Sequence, residues 1–335
     1  MKLSVIVPFY NSEETLGRCL ESIYKSDYTD FEVLAVDDRS TDKSVSIAGQ
    51  FPCKLLKTDK KGEAYTRNKG IENATGEIIV FVDSDVVIRR DTFERIVKNF
   101  RDTSIAAQTG TLSKEHPNKN FFSQYKNLYM NYILGAMPKY VSFLYGSIFA
   151  VRKQFMEYFD TKAPLHALDT DLGARLHKRG YRILLDKELE VTHLKRYSFI
   201  SFIKNDIRIP LDWAFIFVRR KRFKLLFKQK RFAHARLNQI TGVLLSPLAF
   251  IALLFSFKNP SWLGLFSLLS FLILLLNAGL LNFLRKEKGI LFFLKSIPVT
   301  CLDAFIMFCG IVSGVMYYFF FSNINKCAIL NLNKN

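Results

Sequence analysis

Short apolar runs alternating with stretches of helical period occupy the first two hundred residues, and long apolar runs occupy the last hundred. Leu3-Ser4-Val5-Ile6-Val7 is a β-branched run closed by Pro8, and Ser12 followed by Glu13 and Glu14 is a helix start, after which Leu16, Leu20 and Ile23 recur at helical spacing. Residues 31–36 form a second strand, the polar run Asp37-Asp38-Arg39-Ser40-Thr41-Asp42 leaves it, and another amphipathic stretch follows. Residues 62–74 read as a helix and residues 77–82 as the strand that delivers Asp83-Ser84-Asp85. This alternation predicts an α/β, Rossmann-like fold: a mostly parallel sheet with helices on both faces and ligands at the carboxyl ends of its strands. Asp38, Asp83 and Asp85 fall at such ends.

From about Ile240 the pattern changes. Residues 240–257, 261–284 and 298–321 are apolar runs near the roughly 20 residues that a bilayer crossing needs, which predicts about three transmembrane helices. Residues 289–297 contain Lys295 and are too short to cross, so they read as interfacial. Asp303, inside the third run, is a costly charge that should face protein. The N-terminal stretch after Lys2 is cut by Pro8 and lacks a cleavage-like site, so the first half is expected to stay where it is made. Arg285, Lys286 and Lys288 flank the second loop against Lys258 alone in the first, which puts the N-terminal domain in the cytoplasm and the C-terminus outside. The expected location is therefore the cell (inner, cytoplasmic) membrane, multi-pass.

The formal charge of +18 over 335 residues raises the question of nucleic acid. Its position answers it. Between Lys195 and Arg236 stand thirteen Lys or Arg against two Asp, interleaved with Trp213, Phe215, Phe217, Phe223, Leu225, Leu226, Phe227 and Phe232, directly before the first apolar run. A basic amphipathic segment beside a span belongs in the headgroup layer, with its cations on anionic lipid, so the partner is an anionic membrane surface and not nucleic acid. Five cysteines, Cys19, Cys53, Cys301, Cys309 and Cys327, show neither paired metal spacing nor a disulfide framework.

Two carboxylates one residue apart at a strand end, Asp83 and Asp85, can share a hard divalent cation and hold it against a diphosphate, although Asp and Ser also turn a chain after a strand. There is no Gly-x-Gly-x-x-Gly after the first strand and no Gly-Lys-Ser or Gly-Lys-Thr loop, which removes the usual dehydrogenase and NTPase readings.

Four segments in order, Ser4 to Asn11, Val36 to Asp42, Ala64-Tyr65-Thr66-Arg67-Asn68 leading to Ala74-Thr75-Gly76-Glu77, and Phe81 to Asp85, resemble the family 2 glycosyltransferases of GT-A fold. A fifth, Phe159-Asp160 with Leu168-Asp169-Thr170-Asp171 through Leu176 and Gly180-Tyr181-Arg182-Ile183, looks like that family's acceptor-side motif. The resemblance covers about residues 1–200 and not the membrane half. It implies that Pro8, Tyr10 and Glu13 border the base and ribose of a nucleotide-sugar, that Asp38 accepts a hydrogen bond from the base, and that Arg67 sits near the base or diphosphate. Asp83 would contact ribose or sugar, and Asp85, with Asp83 and His193 as further candidates, would bind Mg²⁺ or Mn²⁺ as the DXD motif does. Asp169 would be the catalytic base and Asp171 a second acceptor-side charge; an isolated Asp at either place also suits a helix start. Two positions depart from the family: Leu168 stands where Glu is usual, and Arg39 where Gly is common. Strand-end His193 has a structural alternative as well, an ordinary hydrogen-bonded histidine.

The expected organisation is residues 1–197 as the GT-A domain, 198–238 as the basic interface segment, 239–323 as transmembrane helices and 324–335 as a tail. The expected activity is metal-dependent, inverting transfer of a hexosyl or N-acetylhexosaminyl group from a UDP-sugar, or less readily a GDP-sugar, to a hydroxyl of a membrane lipid or lipid-linked saccharide in polysaccharide or glycolipid assembly. Transfer to a polyprenyl phosphate is the alternative, and a membrane-anchored nucleotide-sugar binder or transporter component is the alternative of another class.

Overall fold

The computed structural model describes residues 1–221, 231–232 and 235–332, and the chain separates into two compact units, Met1–Arg196 and Tyr197–Asn335. The first unit contains β1 (Leu3–Phe9), α1 (Leu16–Tyr24), β2 (Phe31–Asp37), α2 (Ser44–Ala48), β3 (Lys54–Lys57), α3 (Glu63–Asn73), β4 (Ile78–Val82), β5 (Val86–Val87), α4 (Thr92–Asn99), β6 (Ile105–Leu112), α5 (Phe121–Gly135), β7 (Tyr140–Val141), β8 (Ile148–Arg152), α6 (Leu168–Lys178) and β9 (Arg182–His193). The strands form one sheet in the order β3-β2-β1-β4-β8-β6-β9-β5, with β7 added to β9. Every residue of β1, β4 and β6 is buried, as expected of strands covered on both faces, whose sequences read as continuous apolar runs. On α1, Leu16, Cys19, Leu20 and Ile23 are buried at the i, i+3, i+4, i+7 positions that make one helix stripe.

The sheet is mixed, and only part of it is parallel. Strands β3, β2, β1 and β4 pair in parallel, but β8 runs antiparallel to both β4 and β6, and β9 is parallel to β6 yet antiparallel to β5 and β7. The strand and helix alternation behind the expectation of a mostly parallel sheet is confined to residues 1–82, so the later strands were not reached by it. On α6, Gly173 lets the helix press against the backbone of the neighbouring segment: a Cβ there would lie 2.5 Å from Leu144 N and 2.6 Å from Phe143 Cα.

In the second unit, α7 (Phe199–Arg219) opens on a reciprocal capping box between Ser198 and Ser201 and carries Pro210 in its interior. It packs along α11 (Ile290–Leu332), where Gly310 and Gly314 bring the helices so close that a Cβ at either would collide with the carbonyl oxygen of Ile207 or Leu211. Between them lie α8 (Leu237–Ser256), α9 (Trp262–Leu276) and α10 (Ala278–Lys288). The part of the basic segment at residues 222–230 and 233–234 lies outside the described residues.

Among the described residues two helices are long and apolar enough to cross a membrane, Leu237–Ser256 and Ile290–Phe320, with mean hydropathy 1.9 and 2.0; the count is three if α9 and α10 form one span. That pair bends by 67° at its break, so the run at residues 261–284 is not one straight helix. Asn277 sits at the bend with both its backbone N–H, at 3.2 Å, and its Nδ2, at 2.9 Å, donating to Ile273 O, while Asn238 Nδ2 donates to Leu276 O at 3.2 Å. Residues 290–297 are not a separate interfacial piece but the first turns of α11, which continues through Pro298. Asp303 is buried at 3% exposure, facing protein as its cost requires.

Candidate active site

A cleft of about 580 Å³ opens at the carboxyl ends of β1, β2 and β4, lined by Pro8, Phe9, Tyr10, Ser12 and Asp38, by residues 61–66 at the start of α3, by Asp83, Ser84 and Asp85, and by Thr161, Ala163, Leu165 and Leu168. Its first wall is a stitched pair of loops. Asp37 Oδ1 accepts from Ser40 N at 2.9 Å, Ser40 Oγ accepts from Asn11 N at 3.1 Å, and Asn11 Oδ1 accepts from Thr41 N at 2.8 Å. Arg39 takes φ +66° in this turn, which explains why glycine suits the position; a non-glycine residue there costs about 1–2 kcal/mol. Asp38 is buried, with Oδ1 accepting from Gly62 N at 2.7 Å. Tyr10 is 43% exposed at the rim, where Lys61 Nζ lies 4.7 Å over its ring and donates to its hydroxyl at 3.2 Å.

Glu13 is not brought into this cleft. Its Oε2 accepts from Lys43 N at 3.1 Å while its own N–H donates to Asp42 Oδ2 at 3.0 Å, so it braces the loop behind the wall.

Arg67 is the buried cation beneath the cleft, with 3% exposure. Its Nη2 pairs with Glu63, one helical turn earlier, and with Asp83 Oδ1 at 3.2 Å. The guanidinium is enclosed by the rings of Phe81, Phe149 and Phe159, at 5.9, 5.8 and 5.3 Å from their centroids. Nε and Nη1 are buried without a hydrogen-bond partner among the described residues. Asn68 fixes this enclosure, accepting from Phe159 N at 2.8 Å and donating to Phe159 O at 3.0 Å. Arg67 therefore faces carboxylates and rings rather than the open cleft.

Asp83 and Asp85 have different surroundings. Burial pushes the Asp83 carboxyl well above its ordinary range, and the charges of Glu63, Asp85 and Asp169 add to the push against the opposing pull of Arg67. Burial also works against ionisation of Asp85, but the charge and hydrogen bond of His193, with Lys195 behind it, hold that carboxyl below the ordinary range. His193 Nε2 lies 3.3 Å from Asp85 Oδ2 because β5 pairs with β9 in the register Val86 to His193, an antiparallel contact that local sequence does not reveal. No group of three or more His, Cys, Asp or Glu is poised for a metal among the described residues. An imidazole nitrogen and a carboxylate oxygen side by side fit part of a Mg²⁺ or Mn²⁺ shell, the rest of which phosphate oxygens and water can supply.

Asp169 lies in the first turn of α6, its Oδ1 accepting from Thr170 N at 2.8 Å. A Cβ at Gly146 would lie 3.0 Å from Asp169 Oδ2 and 3.6 Å from Asp83 Oδ2, so both carboxylates border the space that glycine leaves there. Burial raises the Asp169 carboxyl above its ordinary range, opposed by Arg67 and by the N–H groups of Thr170 and Gly146. Asp171 points elsewhere. It is buried at 1% and pairs with Arg175 Nε at 3.1 Å, and Arg175 also binds Glu157 and the carbonyl of Tyr158. Asp171 thus ties α6 to the segment ahead of it, while Leu168, in the place of the usual Glu, lines the cleft.

The family model described as Glycosyl transferase family 2 matches residues 4–159. That segment, a little under half of the chain, carries the pattern of glycosyltransferase family 2. The chain is 42% identical over 102 residues to the poly(ribitol-phosphate) beta-N-acetylglucosaminyltransferase TarS of Staphylococcus aureus, a match covering 28% of this chain and 18% of TarS. It is 32% identical over 124 residues to the glycosyltransferase AglE of Haloferax volcanii, covering 35% of this chain and 41% of AglE. These matches span less than half of either relative. Among solved structures, the mannosyltransferase PcManGT from Pyrobaculum calidifontis, in complex with GDP-Man and Mn²⁺, is similar in fold, with a TM-score of 0.59 at 17% identity over 94% of this chain and 87% of that one.

Two residues at or near the cleft, Glu63 and Gly146, carry no motif in the sequence. Glu63 was detectable as a carboxylate four residues before Arg67 on one helix face. Gly146 had no local signal, since its role comes from two side chains that the fold brings to it.

Proposed function

We propose that this protein is a membrane-bound inverting glycosyltransferase that moves a sugar from a nucleotide-sugar to a hydroxyl of a membrane lipid or lipid-linked saccharide. The observation that carries the reading is the set of carboxylates at the cleft, with His193 at Asp85 and with Asp83 and Asp169 both bordering Gly146. The donor is UDP-linked in this reading; a GDP-linked donor, of the kind held by PcManGT, is the alternative.

Pro8, Tyr10 and Asp38 hold the base and ribose, with the second Asp38 oxygen as acceptor for a base N–H and Glu13 bracing this wall through Lys43. Asp83 accepts from a donor hydroxyl. A Mg²⁺ or Mn²⁺ ion bound by Asp85, with His193 and Asp83 at its side, would neutralise charge on the leaving diphosphate. Asp169 takes the proton of the acceptor hydroxyl as its oxygen attacks from the face opposite the diphosphate. A carboxylate with a raised pKa is the better base, which supports Asp169 in this role. Arg67 acts on these carboxylates, holding Asp83 directly and Asp169 through its field, rather than on the diphosphate. The basic segment at residues 198–238 holds the catalytic unit at the cytoplasmic leaflet, where lipid-linked acceptors present their polar ends.

The test is to incubate the full chain, purified in detergent, with UDP- and GDP-sugars, Mn²⁺ and extracted membrane lipids, and to identify products by mass spectrometry. A new lipid-borne glycoside is the expected product. A glycosyl phosphate product would favour the polyprenyl phosphate alternative, and no product from any donor would favour a nucleotide-sugar binder.

A further inference from the structure

Lys61 is the basic side chain among the residues lining the cleft, and it stands where the nucleotide-sugar reading above, on which this inference rests, puts the base. It directly precedes Gly62, whose N–H donates to Asp38 Oδ1 at 2.7 Å, so the backbone that carries the ammonium is anchored to the Asp38 carboxylate. Its side chain reaches Tyr10, with Nζ 4.7 Å over the ring and 3.2 Å from the hydroxyl oxygen. The Tyr10 ring, the Asp38 carboxylate and the Lys61 ammonium therefore belong to one end of the cleft.

The contacts of Lys61 with Tyr10 are easily exchanged, because both side chains are exposed and water competes for the ammonium. A flat base laid on the Tyr10 ring takes the place that Nζ occupies and moves the ammonium to the rim of the base. There it meets the exocyclic group beside the ring nitrogen. A carbonyl oxygen accepts from an ammonium, whereas an amino group is itself a donor. Asp38, with one oxygen held by Gly62, turns acceptor oxygen to the ring nitrogen, which suits an N–H and repels a bare lone pair. Acceptor and cationic donor side by side match the N–H and C=O pair of uracil or guanine. They mismatch cytosine and adenine, which set a bare ring nitrogen beside an amino group.

We propose that Lys61 is a base-selecting residue: it donates to the exocyclic carbonyl oxygen of the base whose ring N–H Asp38 accepts. It thereby favours uridine or guanosine nucleotides over their cytidine or adenosine counterparts.

The experiment measures nucleoside diphosphate affinity by isothermal titration calorimetry on the full chain in detergent with Mn²⁺, in two pairs: UDP against CDP, and GDP against ADP. In the pair that binds, the nucleotide with the N–H and C=O edge should bind about 100-fold more tightly than its amino counterpart. Lys61→Met keeps the length of the side chain and removes its charge. It should weaken the tighter member about tenfold, the scale of one charge-assisted hydrogen bond, and leave the amino member unchanged. Lys61 is exposed, so the substitution leaves the core alone, and the unchanged affinity of the amino member verifies the fold. An equal loss for both members would put Lys61 at the diphosphate and overturn the base role. Equal affinity of the two members in the wild-type chain, or an unaltered ratio in the variant, would overturn it as well. Each of these outcomes leaves the nucleotide-sugar reading in place, whereas failure of all four nucleotides to bind overturns that reading and the inference together.

Discussion

Asp83 and Asp169 approach each other across Gly146, with Oδ2 of Asp169 3.0 Å and Oδ2 of Asp83 3.6 Å from the position that a Cβ of residue 146 would take. One carboxylate comes from the end of a central strand and the other from the first turn of a helix some eighty residues later in the chain. Gly146→Ala should leave the fold intact, because the nearest atoms to the new methyl group belong to the Asp169 and Asp83 side chains and not to backbone, yet push Asp169 off its position. Turnover should fall about tenfold with little change in donor KM, a modest displacement of a reacting group being enough for this. Unchanged kcat in steady-state assays would show that Asp169 does not need its place beside Gly146.

Asp169→Asn removes the proposed base while keeping the side-chain shape. Transfer to a hydroxyl acceptor should fall about 1000-fold, within the range for loss of a general base, while calorimetry still registers donor binding. The raised carboxyl gives this a pH signature: the base works only when ionised, so the acid limb of the rate profile should rise through a midpoint above the ordinary aspartate value of 3.8. Normal turnover by the Asn variant would sink the assignment.

Arg67→Lys keeps a positive charge but loses the fork that reaches Glu63 and Asp83 together. With the positive charge no longer held against them by that fork, Asp83 and Asp169 should both hold protons to higher pH, and the acid limb should move upward relative to the wild-type chain. Because their carboxyls are already raised, these two groups favour the folded state below their folded pKa and lose that contribution as pH rises through it. That contribution is complete below the ordinary aspartate value of 3.8, so the substitution should extend its loss to higher pH, which melting curves across pH would register. An unmoved limb would mean that Arg67 serves packing alone.

Asp85→Ala and His193→Ala address the metal. Each should weaken Mn²⁺-dependent binding of UDP or GDP about 10- to 100-fold, the range for loss of a ligand or of its immediate support, and a chelator should reproduce the loss in the wild-type chain. Nucleotide affinity that is the same with and without Mn²⁺ in all three proteins would refute a metal role for this pair.

Gly173→Ala tests the seat of the base helix. The added methyl group would meet the Leu144 backbone at 2.5 Å, and backbone cannot rotate away as a side chain can. A loss of about 1–3 kcal/mol in folding stability is expected, the cost of overpacking, together with reduced turnover as α6 shifts. A melting temperature equal to that of the wild-type chain would show that the helix can move without penalty.

Much of this protein was readable from local pattern. The buried runs of β1, β2 and β4 announced themselves by apolar continuity, and the polar triplets that follow them are strand ends because a chain leaving a buried strand must return to water. The apolar runs from residue 240 onward likewise declared helices fit for a bilayer, since length and hydropathy are local properties. The ordered motifs group Asp38, Asp83, Asp85 and Asp169 through the family they resemble.

Only the tertiary structure decided how those residues relate to one another. The reversal of β8 made the sheet mixed, and the bend at Asn277 broke the second apolar run, both set by pairing and packing partners far along the chain. Glu13 turned to the Lys43 loop and Asp171 to Arg175, while Glu63 and Gly146 joined the site, because the direction of a side chain depends on which element lies opposite it. The sequence alone therefore determined which chemical groups this protein carries and on which kinds of element. The fold decided that Arg67 is sealed beneath three rings, that His193 stands at Asp85, and that two carboxylates meet at a glycine, since such distances follow from contacts between residues that no local pattern links.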